Sequence, residues 1–202
     1  DPVLSSTRYT YPVHIDTSAT IRARVFKDSI ASLRVFECKY NNHKAIGKEI
    51  TMEHPPAEKY NATADALVDG LCGSTASRDG RWQGFEGSDF VGTIDLGAPV
   101  SVKSATIGFL NDIKSWIFLP EYVKIALSSD GISYREAGEI ITTGSEKNPG
   151  PSIREYQWNA REPGDNPARY IRIYAKNRGV CPKGHPGKGG KAWLFADEII
   201  VE

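Results

Sequence analysis

The sequence predicts an all-β protein. Gly and Pro are frequent, at 19 and 12 of 202 residues, while Met occurs once. Tyr and Trp are well represented, and short stretches of period-two alternation recur between turn residues. Such chains fold as many short strands joined by turns, and no long amphipathic helix is readable. The length suffices for one ordinary domain plus a smaller one, since single cores form in roughly 100–200 residues.

The first strand signal is Thr20–Lys27, where Ile21, Ala23 and Val25 alternate with Arg22 and Arg24. Leu33–Tyr40 repeats it, and Lys27-Asp28-Ser29 supplies the polar turn of a hairpin. A lone hairpin is marginal in water. Together with the turn-like opening at Asp1-Pro2, this gives the expectation that further strands of the same small module precede it. The polar run Tyr40–Lys44 and the His54-Pro55-Pro56 segment put a boundary near residue 45, giving units 1–45 and 46–202.

Beyond the boundary, strands are expected at Gly92–Leu96, Val102–Leu110, Tyr122–Ser128, Tyr134–Ile141, Ile153–Trp158, Arg169–Ala175 and Phe195–Val201. Their spacing suits a β-sandwich or jelly roll. In Tyr122–Ser128, Val123, Ile125 and Leu127 share one face; in Arg169–Ala175, Ile171 and Ile173 oppose Tyr170, Arg172 and Tyr174. Each of these strands therefore has a core face and a wet face. Ser129-Asp130-Gly131 is a turn signal between two of them, because Gly accepts positive φ.

Composition also excludes. Formal net charge is zero, so no polyanion such as nucleic acid is expected as partner. No apolar run approaches the roughly 20 residues of a membrane helix, so membrane insertion is not expected. Asp1–Thr7 lacks the basic and apolar regions of a signal peptide, so any export signal lies outside these residues. Cys38, Cys72 and Cys181 match no metal-type spacing and read as isolated thiols. Cys72 and Cys181 both sit in Gly-rich loops, which leaves one disulfide open in an oxidising compartment.

Several phrases then coincide: LVDGLCGS at Leu67–Ser74, DGRWQGFEG at Asp79–Gly87, TIDLG at Thr93–Gly97, SWIFLPEYVKIALSSDG at Ser115–Gly131, ARYIRIYAKN at Ala168–Asn177 and WLFADEIIVE at Trp193–Glu202. In this order they resemble the discoidin family, the coagulation factor 5/8 C-type domain, whose bacterial members include the family 32 carbohydrate-binding modules. The fold implied is a galactose-binding-domain-like sandwich, preceded by a small N-terminal β-hairpin module. Asp1–Lys39 resembles the immunoglobulin- or fibronectin-like module that follows the catalytic barrel in bacterial family 20 β-N-acetylhexosaminidases. The pairing implies a secreted, periplasmic or cell-surface glycoside hydrolase as parent, with its catalytic domain as a partner of this region. A monomer is expected.

The resemblance also implies a structural calcium. Asp69, Ser74 and Glu198 match its side-chain positions, with the carbonyls of Leu67 and Ala196 as companions. Calcium takes six to eight oxygen ligands at about 2.3–2.6 Å, which carboxylates from opposite ends of a domain would suit. Alternatively, Asp69 caps its own turn and Glu198 pairs with a neighbouring cation.

Sugar recognition needs an apolar platform for the C–H face of a pyranose and polar groups for its hydroxyls, on loops held by a rigid scaffold. Trp82 in the Asp79–Glu86 stretch, Trp116 after Asn111–Lys114, and His185 in the Cys181–Lys188 loop are the candidates. Tryptophans flanked by apolar residues, as in Trp116-Ile117-Phe118 and Trp193-Leu194-Phe195, also read as packing: Trp158 and Trp193 are assigned to the core, Trp82 and Trp116 stay open between core and platform, and His185 between an ordinary loop histidine and a hydroxyl partner.

An enzyme would need a nucleophile with its base or a pair of carboxylates flanking a cleft. Cys181 and His185 lack an orienting partner, and Asp197-Glu198 lies on a strand, where neighbouring side chains face opposite ways. The expected role is glycan binding, through terminal galactose or N-acetylhexosamine as the resemblance implies. The alternative is a spacer that packs on the catalytic barrel without binding sugar. Phospholipid binding ranks lowest, because loop 181–193 carries lysines but glycines in place of apolar spikes.

Overall fold

The computed structural model describes residues 1–63, 65–143, 150–161 and 167–202, in two compact units, Asp1–Asn42 and His43–Glu202. In the first, β1 (Ala19–Lys27) and β2 (Ile30–Tyr40) form an antiparallel hairpin. Lys27 pairs with Ile30, so the loop is Asp28-Ser29 alone, and both residues have positive φ, at 48° and 69°. That is the mirror-image turn whose twist matches its flanking strands. Between the Arg24–Val35 and Phe26–Ala31 pairs β2 carries extra residues. The alternation changes phase just before it, at Arg22-Ala23: Arg24 and Phe26 are partly covered, while Ala23 and Val25, expected on the inner face, are exposed.

The second unit contains β3 (Glu49–Met52), β4 (Gln83–Glu86), β5 (Phe90–Ser101), β6 (Ser104–Asn111), β7 (Tyr122–Ser128), β8 (Arg135–Ile141), β9 (Ser152–Asn159), β10 (Pro167–Ala175) and β11 (Trp193–Val201). They form two antiparallel sheets in the orders β3-β5-β10-β7-β8 and β4-β11-β6-β9. The all-β expectation holds. The core joins Ile94, Val123, Ile125, Ile171 and Ile173 of the first sheet to Ile107, Phe109, Tyr156, Leu194 and Ile199 of the second. Each large apolar side chain fully buried this way stabilises the fold by about 1.5–3 kcal/mol.

β6 is buried throughout and β11 nearly so, which one-faced alternation does not anticipate. The reason is a second apolar cluster on their sheet: Trp82, Leu110, Ile117, Trp193 and Phe195, with Ala57 and Tyr60 from the connection between β3 and β4 packed against it. Asp197 and Glu198 lie where the β11–β6 register shifts, between the Ala196–Phe109 and Ile199–Ile107 pairs. Both are buried.

Strand pairing gathers several loops at one end of this sandwich. Ala175 at the end of β10 pairs with Phe90 at the start of β5 and with Val123 in β7, while Trp193 pairs with Glu86 and bridges to Ile117. The β4–β5 turn, the β6–β7 connection and the long β10–β11 loop therefore emerge together.

Candidate functional site

The β10–β11 loop is anchored before it begins. Asp89 in the β4–β5 turn accepts hydrogen bonds from the Tyr174 hydroxyl at 2.6 Å, the Lys176 ammonium at 3.1 Å and the Asn177 backbone N–H at 2.9 Å. The buried Asn177 amide then donates to the carbonyls of Phe85 (3.1 Å), Ser88 (2.9 Å) and Ala192 (3.3 Å), while its oxygen accepts the Gly179 N–H at 2.8 Å. One side chain thus ties both ends of the loop to the neighbouring turn.

Trp116 stands on the adjoining connection. It closes the short 3-10 turn Ile113–Ser115 in the left-handed conformation, φ 68° and ψ 16°. A bulky residue there costs roughly 1–2 kcal/mol, a strain that persists only where surrounding contacts fix it. They do so here: the Trp116 N–H donates to Ile113 O at 3.0 Å, and its carbonyl accepts the Trp193 N–H at 2.9 Å. Gly187 and Gly190 lie flat against its indole, so close that a Cβ on Gly187 would fall 2.5 Å from Cε2 and Cζ2. The residue nevertheless stays 40% exposed. It is a rigidly mounted aromatic ring with open surface.

His185 locks the two loops together. Its Nδ1 accepts the Gly187 N–H at 3.0 Å, so Nε2 carries the proton and donates to Ile113 O at 2.7 Å. The ring also meets Trp116 and Phe118 edge-on, at centroid separations of 6.1 and 5.5 Å. Both nitrogens are spent, so His185 is not the partner for a sugar hydroxyl that the sequence reading made it. It braces the platform. Nor does it have a free nitrogen to act as base toward Cys181, whose thiol burial pushes up. None of Cys38, Cys72 and Cys181 is disulfide-bonded, so the disulfide left open between Cys72 and Cys181 is not formed.

Trp82 also departs from expectation. It is 2% exposed, its Nε1 donates to Ser74 O at 3.0 Å, and Gly73 packs on its ring. The DGRWQGFEG phrase is not an open loop but the approach to β4 and β4 itself, and the Trp82 indole seals the second apolar cluster. Trp193 is buried in the same cluster, and Trp158 packs against the main core, both as expected.

The residues expected to hold calcium are engaged elsewhere. Asp69 accepts the Leu71 N–H at 2.8 Å and the Arg81 guanidinium at 3.0 Å, which already supplies its positive partner. Ser74 Oγ accepts the Ala76 N–H, and Leu67 O accepts the Ile199 N–H. Glu198 Oε1 accepts a hydrogen bond from His43 Nε2 at 2.7 Å, with both side chains almost wholly buried. Of this set, among the described residues, Glu198 Oε2 is buried without a partner, as Gln83 Oε1 is outside it, and this oxygen is the feature that suits a cation; burial pushes the Glu198 carboxyl upward. Ala196 lies in β11, paired with Gln83 and Phe109. Among the described residues no group of three or more His, Cys, Asp or Glu side chains is arranged for a metal. As placed, the set does not fit calcium. The expected outcome is a melting temperature unchanged, within about 1 °C, between millimolar calcium and excess chelator. A rise of several degrees with calcium would show that the donors rearrange to bind it.

No family model and no curated protein matches the chain. Among solved structures, a Streptococcus pneumoniae fucose binding module aligns with a TM-score of 0.54 at 14% identity, over 88% of this chain and 98% of its own. A fucolectin from striped bass (Morone saxatilis) serum aligns with a TM-score of 0.53 at 17% identity, over 79% of this chain and 47% of its own. Chitosan-binding module 1 of a Paenibacillus sp. IK-5 chitosanase/glucanase aligns with a TM-score of 0.50 at 17% identity, over 80% of this chain and 99% of its own. At such identities these likenesses establish the fold, a discoidin-type β-sandwich.

Proposed function

We propose that this chain is a non-catalytic glycan-binding region that holds a secreted glycoside hydrolase of the β-N-acetylhexosaminidase kind on its substrate. Trp116 carries the reading. A strained residue, fixed by backbone bonds on one side and two glycines on its ring, presents open aromatic surface at the loop end of a rigid sandwich. The solved structures of the same fold described above are named for binding fucose or chitosan, which supports a sugar as ligand. The preferred sugars on this reading are terminal galactose or N-acetylhexosamine.

An open edge of this kind buries little ligand surface, so single-sugar affinity is weak, and the benefit comes from raising local substrate concentration on a multivalent glycan. The test is a glycan array with the full chain and the Trp116→Asn variant, since Asn tolerates the left-handed backbone. Selective binding by the wild type, weakened roughly tenfold to a hundredfold in the variant, is expected from losing about 1.5–3 kcal/mol of aromatic contact. A blank array with folded protein would favour the spacer role instead.

A further inference from the structure

The chain is neutral overall, yet the loop beside Trp116 is not. From Lys176 to Ala192 it carries Lys176, Arg178, Lys183, Lys188 and Lys191 and no acidic residue at all. Lys176 is engaged by Asp89, and the Arg178 guanidinium lies 5.4 Å from the Phe118 ring centroid. Lys183, Lys188 and Lys191 are exposed.

Lys188 is placed most tightly. It lies between Gly187 and Gly190, which both touch the Trp116 indole, and its N–H donates to His185 O at 3.0 Å. On the other side, exposed Lys114 belongs to the turn that Trp116 closes, whose Ile113 carbonyl takes both the Trp116 N–H and His185 Nε2. The acid on that connection nearest Trp116, Asp112, accepts the Ser115 hydroxyl and remains one negative charge against the exposed Lys114, Lys183, Lys188 and Lys191. The two segments that mount the exposed ring, whose backbones are locked to one another, thus each carry an exposed lysine. Cations grouped on one edge of an uncharged protein create a local field that selects anions.

We propose that the Trp116 platform selects glycans bearing a carboxylate or sulfate on or next to the stacked sugar, with Lys188 and Lys114 as the charge partners. This rests on the glycan-binding reading above. A neutral sugar would use the ring alone, and a polycationic glycan would be repelled. Exposed ion pairs each contribute modestly, so the preference for an anionic glycan over its neutral counterpart should be about threefold to tenfold. It should shrink as salt rises, since exposed charges are screened within about 8 Å at physiological ionic strength.

The experiment compares matched neutral and sulfated or uronic-acid glycans on one array at roughly 50 and 150 mM salt. The proteins are the full chain, the K114S/K188S double variant and a K27S/K39S control in the hairpin unit. The expected result is an anionic preference that falls with salt, disappears in the first variant at an unchanged melting temperature, and persists in the control. Equal binding to both members of each pair would overturn the charge inference and leave the glycan reading standing. Absence of binding to any glycan, with or without binding to phosphatidylserine vesicles, would overturn both.

Discussion

Replacing Asn177 with alanine is expected to destabilise the larger unit by about 3 kcal/mol and to weaken glycan binding with it. The amide reaches three carbonyls on three segments and its oxygen takes the Gly179 N–H, all around a buried side chain. A buried polar group left without its partner costs about 1–3 kcal/mol, and water entering the gap spares part of the sum. For a unit of this size the loss should lower the melting temperature by roughly 6–12 °C. Hydrogen exchange should show Gly179 and Ala192 losing protection first, because their N–H groups close the loop that Asn177 ties down. Asn177→Asp should do no better: it keeps the acceptor, loses every donor and adds a buried charge. A melting temperature within 2 °C of the wild type in Asn177→Ala would show that the loop is held by other contacts.

The second large effect is a pH dependence set by Asp197. Its carboxyl is buried beside Gly108, receives one N–H from Gly73 at 2.8 Å, and is pushed up from 3.8 to about 7, chiefly by burial. Between about pH 4 and 7 the folded protein therefore holds a proton that the unfolded chain has released. The Asp197 contribution to stability falls as pH rises through that window and levels off above it, by an amount of order 4 kcal/mol at most. Asp197→Asn retains an acceptor for Gly73 and carries no charge, so its urea midpoint should vary far less from pH 4 to 8 and exceed the wild type's at pH 8. Equal slopes in the two proteins would place the titrating group elsewhere. Asp95 acts outside this window and in the opposite sense. The bidentate Arg169 guanidinium, with the Gly97 N–H, holds its carboxyl down at about 2, so its contribution is lost only as pH falls below about 4.

Strands that expose one face were legible in the sequence. β7 runs over Tyr122–Ser128 as its alternation indicated, and β10 differs from expectation only at its first residues. The four-residue strands β3 and β4 were not legible, because so short a run has no period to read. The error at Trp82 follows directly: with β4 unseen, a tryptophan among glycines looks like loop furniture. The clue was Gly84, which packs on the Phe195 ring and Tyr60 as a strand residue rather than a turn residue. Trp116 sits in an equally turn-rich stretch and is exposed, so neighbouring residue types alone do not separate the two. What does is tertiary: one ring is sealed by the connection before β4, the other only half covered by the β10–β11 loop.

His185 and Asn177 show the same limit from the polar side. Nothing in the Cys181–Lys188 stretch says that a histidine there will find Ile113 O across another loop, nor does an asparagine after a strand announce three carbonyl partners. These are long-range hydrogen bonds, fixed by how strands pair rather than by local pattern. The charge of the β10–β11 loop, by contrast, is legible in the sequence; only its position beside Trp116 required the fold.

The most direct test of the central claim is the indole N–H spectrum of the four tryptophans, Trp82, Trp116, Trp158 and Trp193, titrated with a glycan selected from the array. Binding at the loop end predicts that the Trp116 resonance moves with ligand concentration while those of Trp82 and Trp158, bonded to Ser74 O and Ala137 O inside the protein, stay in place. Saturable binding that leaves Trp116 unmoved would contradict the account and put the sugar elsewhere on the protein.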